Sequence, residues 1–501
     1  MEIRRSKPAQ EGVDPAGILA FLDEIEEKQI HLHSFMLLRN DAVIAEGSYA
    51  PCRQEDIHTL FSLSKSFTST GIGFLVQEGQ IHLEDPALKF FPEISKEKVC
   101  DRLQKITVKH LLTMNTGQTS EPEGIFGDPA RDWIQEFWMN EAKEEPGTWF
   151  FYNTLASYML SAIFTRVSGE TLFDYLKVHL FTPLGFSKDI WWEKGAGGYN
   201  AGGFGLNISV EDIARFALLL EHQGNLDGMQ ILSKSWWQDA VYPWSDPSNT
   251  WEGENRYGYG YQFWGCHVPG SFRGDGAFGQ YCIVLPKEKL LFVSTAGHEN
   301  MQQIADALWH NILPALEKSP DTFQPKAQTE LEQRLLQLQL PTYYEEKESF
   351  SSQRDCQTQL PKEWCQKNYR LDTNILGITE LSFENTQKGV RIHLTHGTCQ
   401  NTFEVEPEVW REGTLTLDKK YLEENQFVFG TRLYEKMAAR GCLNDGVYYL
   451  DFIYPQTAYQ DTWELRKTDQ GIRLWIKRNT GFDRVDFEVE AVEMKRKMQN
   501  S

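Results

Sequence analysis

The sequence has no pair of cysteines at C-x-x-C spacing. Its eight, Cys52, Cys100, Cys266, Cys282, Cys356, Cys365, Cys399 and Cys442, are scattered along 501 residues. Neither a zinc site nor a disulfide framework is indicated, and reduced, mostly buried thiols are expected. No stretch approaches the ~20 apolar residues of a membrane span, and the opening "MEIRRSKPAQEGVDPAGILAF" lacks the apolar core of a secretory leader. The expectation is a cytoplasmic protein with no membrane partner. Cations are scarce too: 50 Lys and Arg stand against 71 Asp and Glu, a net charge of −21. Such a field repels phosphate backbones, so no nucleic-acid partner is expected. Repeats and low-complexity tracts are also missing. "HLTH", His393 to His396, falls in an apparent strand, where positions three apart point to opposite faces, so it does not suggest a metal site.

What is present is an ordinary globular composition, 41% hydrophobic, 13% aromatic and 24% charged, at a length that suggests two or three domains. Asp14-Pro15 opens a helix carrying Ile18, Phe21, Leu22 and Ile25 at helical spacing. "SFMLLRNDAVIAEGSY" reads as two strands about an Asn40-Asp41 turn. Helices dominate from about residue 62 to 240. They include Thr107 to about Asn115, Leu155 to Ser168 stopped by Gly169, and one opened by the capping box Ser209-x-x-Asp212. "YCIVLPKEKLLFVS" returns to strands, and a helix with Ile304, Leu308 and Ile312 follows. A helix and hairpin at one end and a hairpin and helix at the other predict one antiparallel sheet built from both ends, an α/β (α+β) domain over residues 1–318. The polar "EKSPDTFQPKAQ" begins a linker, 319–362, with a short helix capped by Thr329-x-x-Glu332. "GVRIHL", "DTWELR" and "GIRLWIKR" then alternate apolar and polar residues, which predicts an antiparallel β-domain over 363–501.

The chemistry concentrates in "HTLFSLSKSFTSTGIGFLVQEGQ", residues 58 to 80. Ser62 and Lys65 are three apart at a helix start and so share a face. A serine needs a base or local cation to become nucleophilic, and a lysine desolvated by apolar neighbours loses its proton nearer neutrality. Phe67, Gly71, Phe74 and Leu75 supply the apolar backing. A second S-x-x-K, Ser95 to Lys98, lies in a charged stretch that would leave its lysine solvated. On its own, Ser62 reads first as a cap of the following helix, a common use of serine.

The arrangement resembles the S-x-x-K of the serine β-lactamases and penicillin-binding proteins. "ITVKHLLTMNTG", "EEPGTWFFYNTLASYML", "AGGFGLNISVEDIARFALLL" and "FGQYCIVLPKEKLLFVSTAG" are similar to successive blocks of the class C β-lactamase-like hydrolases, a group that includes carboxylesterases, D-amino-acid peptidases and nylon-oligomer (6-aminohexanoate-dimer) hydrolases. The resemblance runs over roughly residues 10 to 315. It implies a β-lactamase/transpeptidase-like fold, with Ser62 as acylated nucleophile and Lys65 as its proton partner. Tyr152 would be the tyrosine of the Y-x-N motif that exchanges a proton with nucleophile and leaving group, and the backbone N–H groups of Ser62 and Ala277 would be the oxyanion donors. Whether Lys65 is the neutral base or a charged partner to a Tyr152 phenolate stays open.

Two departures stand out. Where the family has Asn after Y-x, this chain has Thr154, with Asn153 one place early, so either could support the lysine. Two places before Gly276, where the family has Lys or His, stands Gly274, with Arg273 beside it. Arg273 is then a surface or structural arginine, or an anchor for a substrate carboxylate. The expectation is a serine hydrolase that cleaves a small ester or amide through acyl-Ser62, with no metal or organic cofactor. A D-amino-acid peptidase or β-lactamase is the alternative, and a catalytically silent binding module a third. Trp191, Trp192 and Trp264 fall near loops that line the cleft in the family. The β-domain is expected to pack or to edge the cleft. The oligomeric state, homo-oligomer included, is left open.

Overall fold

Residues from both ends of the first three hundred build one seven-stranded sheet in the computed structural model, which describes residues 2–127, 130–341, 356–365, 367–407, 409–418, 436–482 and 486–494. The strands are β1 (Arg4–Arg5), β2 (Leu32–Arg39), β3 (Ala42–Ser48), β4 (Trp264–Gly265), β5 (Phe272–Gly276), β6 (Gln280–Leu285) and β7 (Leu290–Ala296). Their order in space is β1-β3-β2-β7-β6-β5-β4, antiparallel except for the β1–β3 pair. The Asn40-Asp41 turn and the Pro286 to Lys289 turn stand where the sequence places them.

The period of a strand explains why β2 is apolar on both faces from Phe35 to Leu38. Phe35 and Leu37 point to one face, where α1 (Pro15–Glu27) and α5 (Gln302–Glu317) cover them. Met36 and Leu38 point to the other, against the helical block. That block holds α2 (Ser64–Gln77), α3 (Thr154–Ser168) and α4 (Val210–Glu221). Both helix-start signals are realised: Asp14 accepts from the Ala16 N–H, and Ser209 and Asp212 form the capping box. α2 is buried from Ser64 to Leu75, with its small residues facing neighbouring helices. The helix expected from Thr107 to Asn115 is shorter, Val108–Leu112 capped by Thr107.

The linker helix differs from its expected start. α6 (Pro325–Leu335) begins after Gln324, not at Thr329, because proline is favoured in a first turn and needs no N–H partner. It packs on α1 with Leu331 buried, and Ala50 exchanges backbone hydrogen bonds with Leu338 and Leu340.

The tail is all β and barrel-like. Its strands are β8 (Asn368–Leu371), β9 (Ile378–Asn385), β10 (Val390–His396), β11 (Cys399–Val405), β12 (Arg411–Thr414), β13 (Lys436–Asn444), β14 (Val447–Ile453), β15 (Gln460–Lys467), β16 (Gly471–Arg478) and β17 (Asp486–Glu493). They run in the order β11-β10-β9-β8-β17-β16-β15-β14-β13-β12. The expectation that all thiols are reduced is overturned: Cys356 and Cys442 form a disulfide, because the Gln357–Leu443 bridge sets these residues side by side despite 86 residues of separation. The other six cysteines are unpaired. Among the described residues no helix is long and apolar enough to cross a membrane.

Candidate active site

Ser62 sits in a single 3-10 turn, Phe61–Leu63, that feeds α2. It does not cap that helix: the N-cap is Leu63, with no side-chain cap bond. Its hydroxyl is free for chemistry, and Lys65, one turn on, brings Nζ to 3.1 Å from Oγ. Nζ also donates to the Gly203 carbonyl at 2.8 Å and lies 3.5 Å from Thr154 Oγ1, at the limit of hydrogen bonding. Lys65 is 1% exposed. Burial lowers its pKa to about 7, while the carboxylates of Glu121 and Asp275 pull it back up.

Tyr152 precedes α3. Its hydroxyl hydrogen-bonds with Ser62, and its ring lies 4.8 Å from Lys65 Nζ. Burial raises the phenol well above its ordinary value, Asp275 adds to this, and the Ser62 hydrogen bond opposes it. The group is a neutral phenol at physiological pH. The ring stacks at 5.4 Å on Trp264, with Tyr259 and Trp251 edge-on.

The two departures from the family pattern resolve differently. Thr154 reaches Lys65, but Asn153 turns away: it caps α3 by accepting from the Ala156 N–H at 3.1 Å and donates to Gln118 at 2.8 Å. Glu121, which the sequence did not single out, takes the Leu155 and Thr154 N–H groups at the same helix end. It thereby places a half-buried carboxylate near Lys65. Nothing in "TSEPEGIFG" signals this, since the contact is made across the fold.

In the third motif a side chain at Gly274 has no room, because a Cβ there would stand 2.6 Å from both Ser66 Oγ and Leu63 Cδ1. Arg273 is not at the surface; it is 1% exposed and bound inward, to Asp275 Oδ2 at 2.8 Å, to the Gly265 carbonyl at 2.8 Å and to Asn255 Oδ1. It is held as a structural cation, and Asp275 is what faces the cleft. Gly276 is required by close approach: a Cβ there would meet the Leu60 carbonyl at 2.0 Å. This contact sets Ala277, at the end of β5, beside the turn that carries Ser62. Among the described residues neither the Ser62 nor the Ala277 N–H is taken by another group of the chain.

Both donors are flanked by an unusual backbone. Phe61, just before Ser62, has φ 46°, and Phe278, just after Ala277, has φ 70°. The left-handed region costs a bulky L-residue on the order of 1–3 kcal/mol and persists only where surroundings impose it. The cleft in front of these groups has a volume of about 940 Å³. Ser62, Tyr152, Trp264 and Asp275 line it from the first domain, and Tyr459 and Phe482 from the β-domain. Of the three tryptophans expected near it only Trp264 lines it; Trp192 is buried, donating to the Phe204 carbonyl at 2.8 Å. Ser95 of the second S-x-x-K stands outside the cleft at a surface turn.

With this geometry in place, the comparison with known proteins is direct. Residues 20–317, more than half of the chain, match the family model described as Beta-lactamase. The chain belongs to the Beta-lactamase family. The chain is similar to the 6-aminohexanoate-dimer hydrolase of Paenarthrobacter ureafaciens, 25% identical over 311 residues, covering 57% of this chain and 78% of that protein. The Beta-lactamase of Escherichia coli (strain K12) is 23% identical over 215 residues, 38% of this chain and 55% of that enzyme. A solved structure from Bacillus anthracis, assigned as a 6-aminohexanoate-dimer hydrolase, shares the fold with a TM-score of 0.50 at 20% identity, covering 59% of this chain and 81% of that one. The Beta-lactamase family match ends at residue 317, short of the β-domain.

Proposed function

We propose that this Beta-lactamase family protein is a serine hydrolase that cleaves a small ester or amide through an acyl-enzyme on Ser62. The observation that carries the reading is the contact between Ser62 Oγ and Lys65 Nζ at 3.1 Å, with the lysine buried and its pKa brought to about 7. A substantial neutral fraction of Lys65 is then available to accept the Ser62 proton as Oγ attacks the carbonyl. Tyr152, a neutral phenol, gives its proton to the departing alkoxide or amine and regains one from Lys65. The Ser62 and Ala277 N–H groups stabilise the oxyanion. Water then attacks the ester carbon, losing its proton along the same path, and Ser62 is released. Of the two assignments left open by the sequence, neutral Lys65 as base is favoured, because burial lowers the amine and raises the phenol.

The substrate is proposed to be uncharged or cationic where it meets the third motif. Family β-lactam substrates present a carboxylate there to a cation, whereas Asp275 occupies the cleft wall here and Arg273 is committed behind it. This favours an ester or amide over a β-lactam. The 6-aminohexanoate-dimer hydrolase relative fits the amide side of the reading. Intact-protein mass after treatment with a fluorophosphonate tests it. One adduct on wild type, absent from Ser62→Ala, is expected; no adduct on folded wild type would overturn it in favour of a binding module.

A further inference from the structure

We infer that the β-domain completes the catalytic site by clamping the two oxyanion donors, with Tyr459 and Phe482 as positioning residues that act through Phe61 and Phe278. The inference rests on the proposal that Ser62 is the nucleophile and that its N–H and that of Ala277 receive the oxyanion.

Phe61 and Phe278 lie in the first domain but pack into the hydrophobic core of the second, and Ala277 packs against the same cluster. Their rings meet edge to face at 5.2 Å. Two β-domain rings close over them: Phe482 at 6.0 Å from Phe61 and 5.1 Å from Phe278, and Tyr459 at 6.4 Å and 6.3 Å. Each clamped phenylalanine is the chain neighbour of one donor, and each is in the left-handed conformation that an L-residue abandons when nothing holds it. Release of Phe61 therefore lets the 61–62 peptide plane, which carries the Ser62 N–H, rotate out of line, and release of Phe278 frees the 277–278 peptide and with it the backbone of Ala277, whose own N–H lies one peptide earlier.

The clamp is itself anchored. Tyr459 lies under the Arg478 guanidinium, 4.8 Å from its ring centroid, and Arg478 makes two hydrogen bonds to Asp461 at 2.6 and 2.9 Å. The two domains are also joined by hydrogen bonds on both sides of the donors. The Thr59 N–H donates to the Gln456 carbonyl at 3.0 Å, three residues before Ser62. Asn479 donates to the Gly297 carbonyl at 2.7 Å, and the next N–H along, that of His298, donates to the Phe278 carbonyl at 3.0 Å. Oxyanion donors stabilise a transition state only in correct alignment, and a displacement of about an ångström costs on the order of a hundredfold in rate.

The test uses the full chain, with p-nitrophenyl acetate, p-nitrophenyl octanoate and a fluorophosphonate as probes. Phe482 is 61% exposed, so Phe482→Ala leaves the fold intact, as apparent Tm and near-UV circular dichroism would verify. The expected result is a fall in kcat of about tenfold or more, by the same factor for both esters, with KM changed less than about twofold and phosphonylation slowed in step. Phe482→Tyr, which keeps the ring, restores most of the rate. Phe278→Gly, which accepts φ 70° without strain but lacks the ring, gives a similar loss, and the double variant with Phe482→Ala loses little more. Unchanged kcat in Phe482→Ala, or a loss confined to the KM of the octanoate, would overturn the clamp and leave the Ser62 reading standing. A wild type that neither labels nor hydrolyses either ester would overturn both.

Discussion

Lys65 Nζ stands 3.1 Å from Ser62 Oγ at the end of a side chain buried at the back of the cleft. That relationship has a pH signature. In the proposed mechanism Lys65 must be neutral to act as base, so kcat/KM for a small ester should rise with pH through about 7 and level off above it. The same proposal has Tyr152 act as a neutral phenol, whose pKa burial raises, so no descending limb belongs to it in the range where the protein is folded. A pH profile on p-nitrophenyl acetate checks this; activity that declines with pH across neutrality would reject Lys65 as base. Lys65→Ala should cost about 10²- to 10⁴-fold in kcat/KM.

Asn153 and Thr154 are neighbours with separable duties. Asn153→Ala removes the N-cap of α3 and should cost about 1 kcal/mol of stability, read as a lower denaturant midpoint. If that variant still folds, its ester kinetics should stay within a few-fold of wild type. Thr154→Val keeps the helix but removes the hydroxyl that meets Lys65, so it should lower kcat several-fold with little change in midpoint. The reverse pattern would show that Asn153, not Thr154, supports the lysine.

How much of this was legible beforehand depended on how local each determinant is. The hairpins, α1 and the Ser209 capping box follow from short-range period and capping, and all were readable. Ser62, Lys65 and Tyr152, the residues proposed to carry the chemistry, could be singled out because S-x-x-K and the tyrosine of Y-x-N stand at family spacing, although Thr154 replaces the Asn. Arg273 was legible as a residue but not in its role, because its partner Asn255 lies 18 positions away in a short 3-10 helix. Glu121, Phe61 and Phe278 left no mark. A capping carboxylate supplied by another segment and a left-handed phenylalanine are both consequences of tertiary packing. The disulfide was misread for the same reason: strand pairing, not spacing, brings Cys356 to Cys442.

Arg273 and Asp275 form an ion pair with side chains 2% and 12% exposed. Arg273→Met would leave Asp275 without its buried partner, and loss of one member of such a pair costs about 3–5 kcal/mol. Asp275→Asn is the gentler probe, since the amide oxygen can still accept from the guanidinium. It removes one negative charge from the cleft wall, and it should raise kcat/KM for an ester bearing a carboxylate relative to its neutral analogue. An unchanged ratio between the two esters would mean that Asp275 does not read substrate charge.

Glu193 supplies a test outside the catalytic chemistry. Its side chain is buried behind the Gly203 to Gly205 segment, with Oε1 unpartnered among the described residues, and burial pushes its pKa from 4.5 up to about 8. The folded chain therefore keeps a proton that the unfolded chain releases above about 4.5. Stability attributable to this group falls as pH rises from about 4.5 to about 8 and is fully lost beyond, with a size on the order of a few kcal/mol. Glu193→Gln cannot ionise and should lack this component of the slope. Apparent Tm of wild type should drop relative to that of the variant between pH 5 and pH 8, whatever constant offset the amide introduces. Parallel Tm curves would show that Glu193 ionises in the folded protein as it does in water.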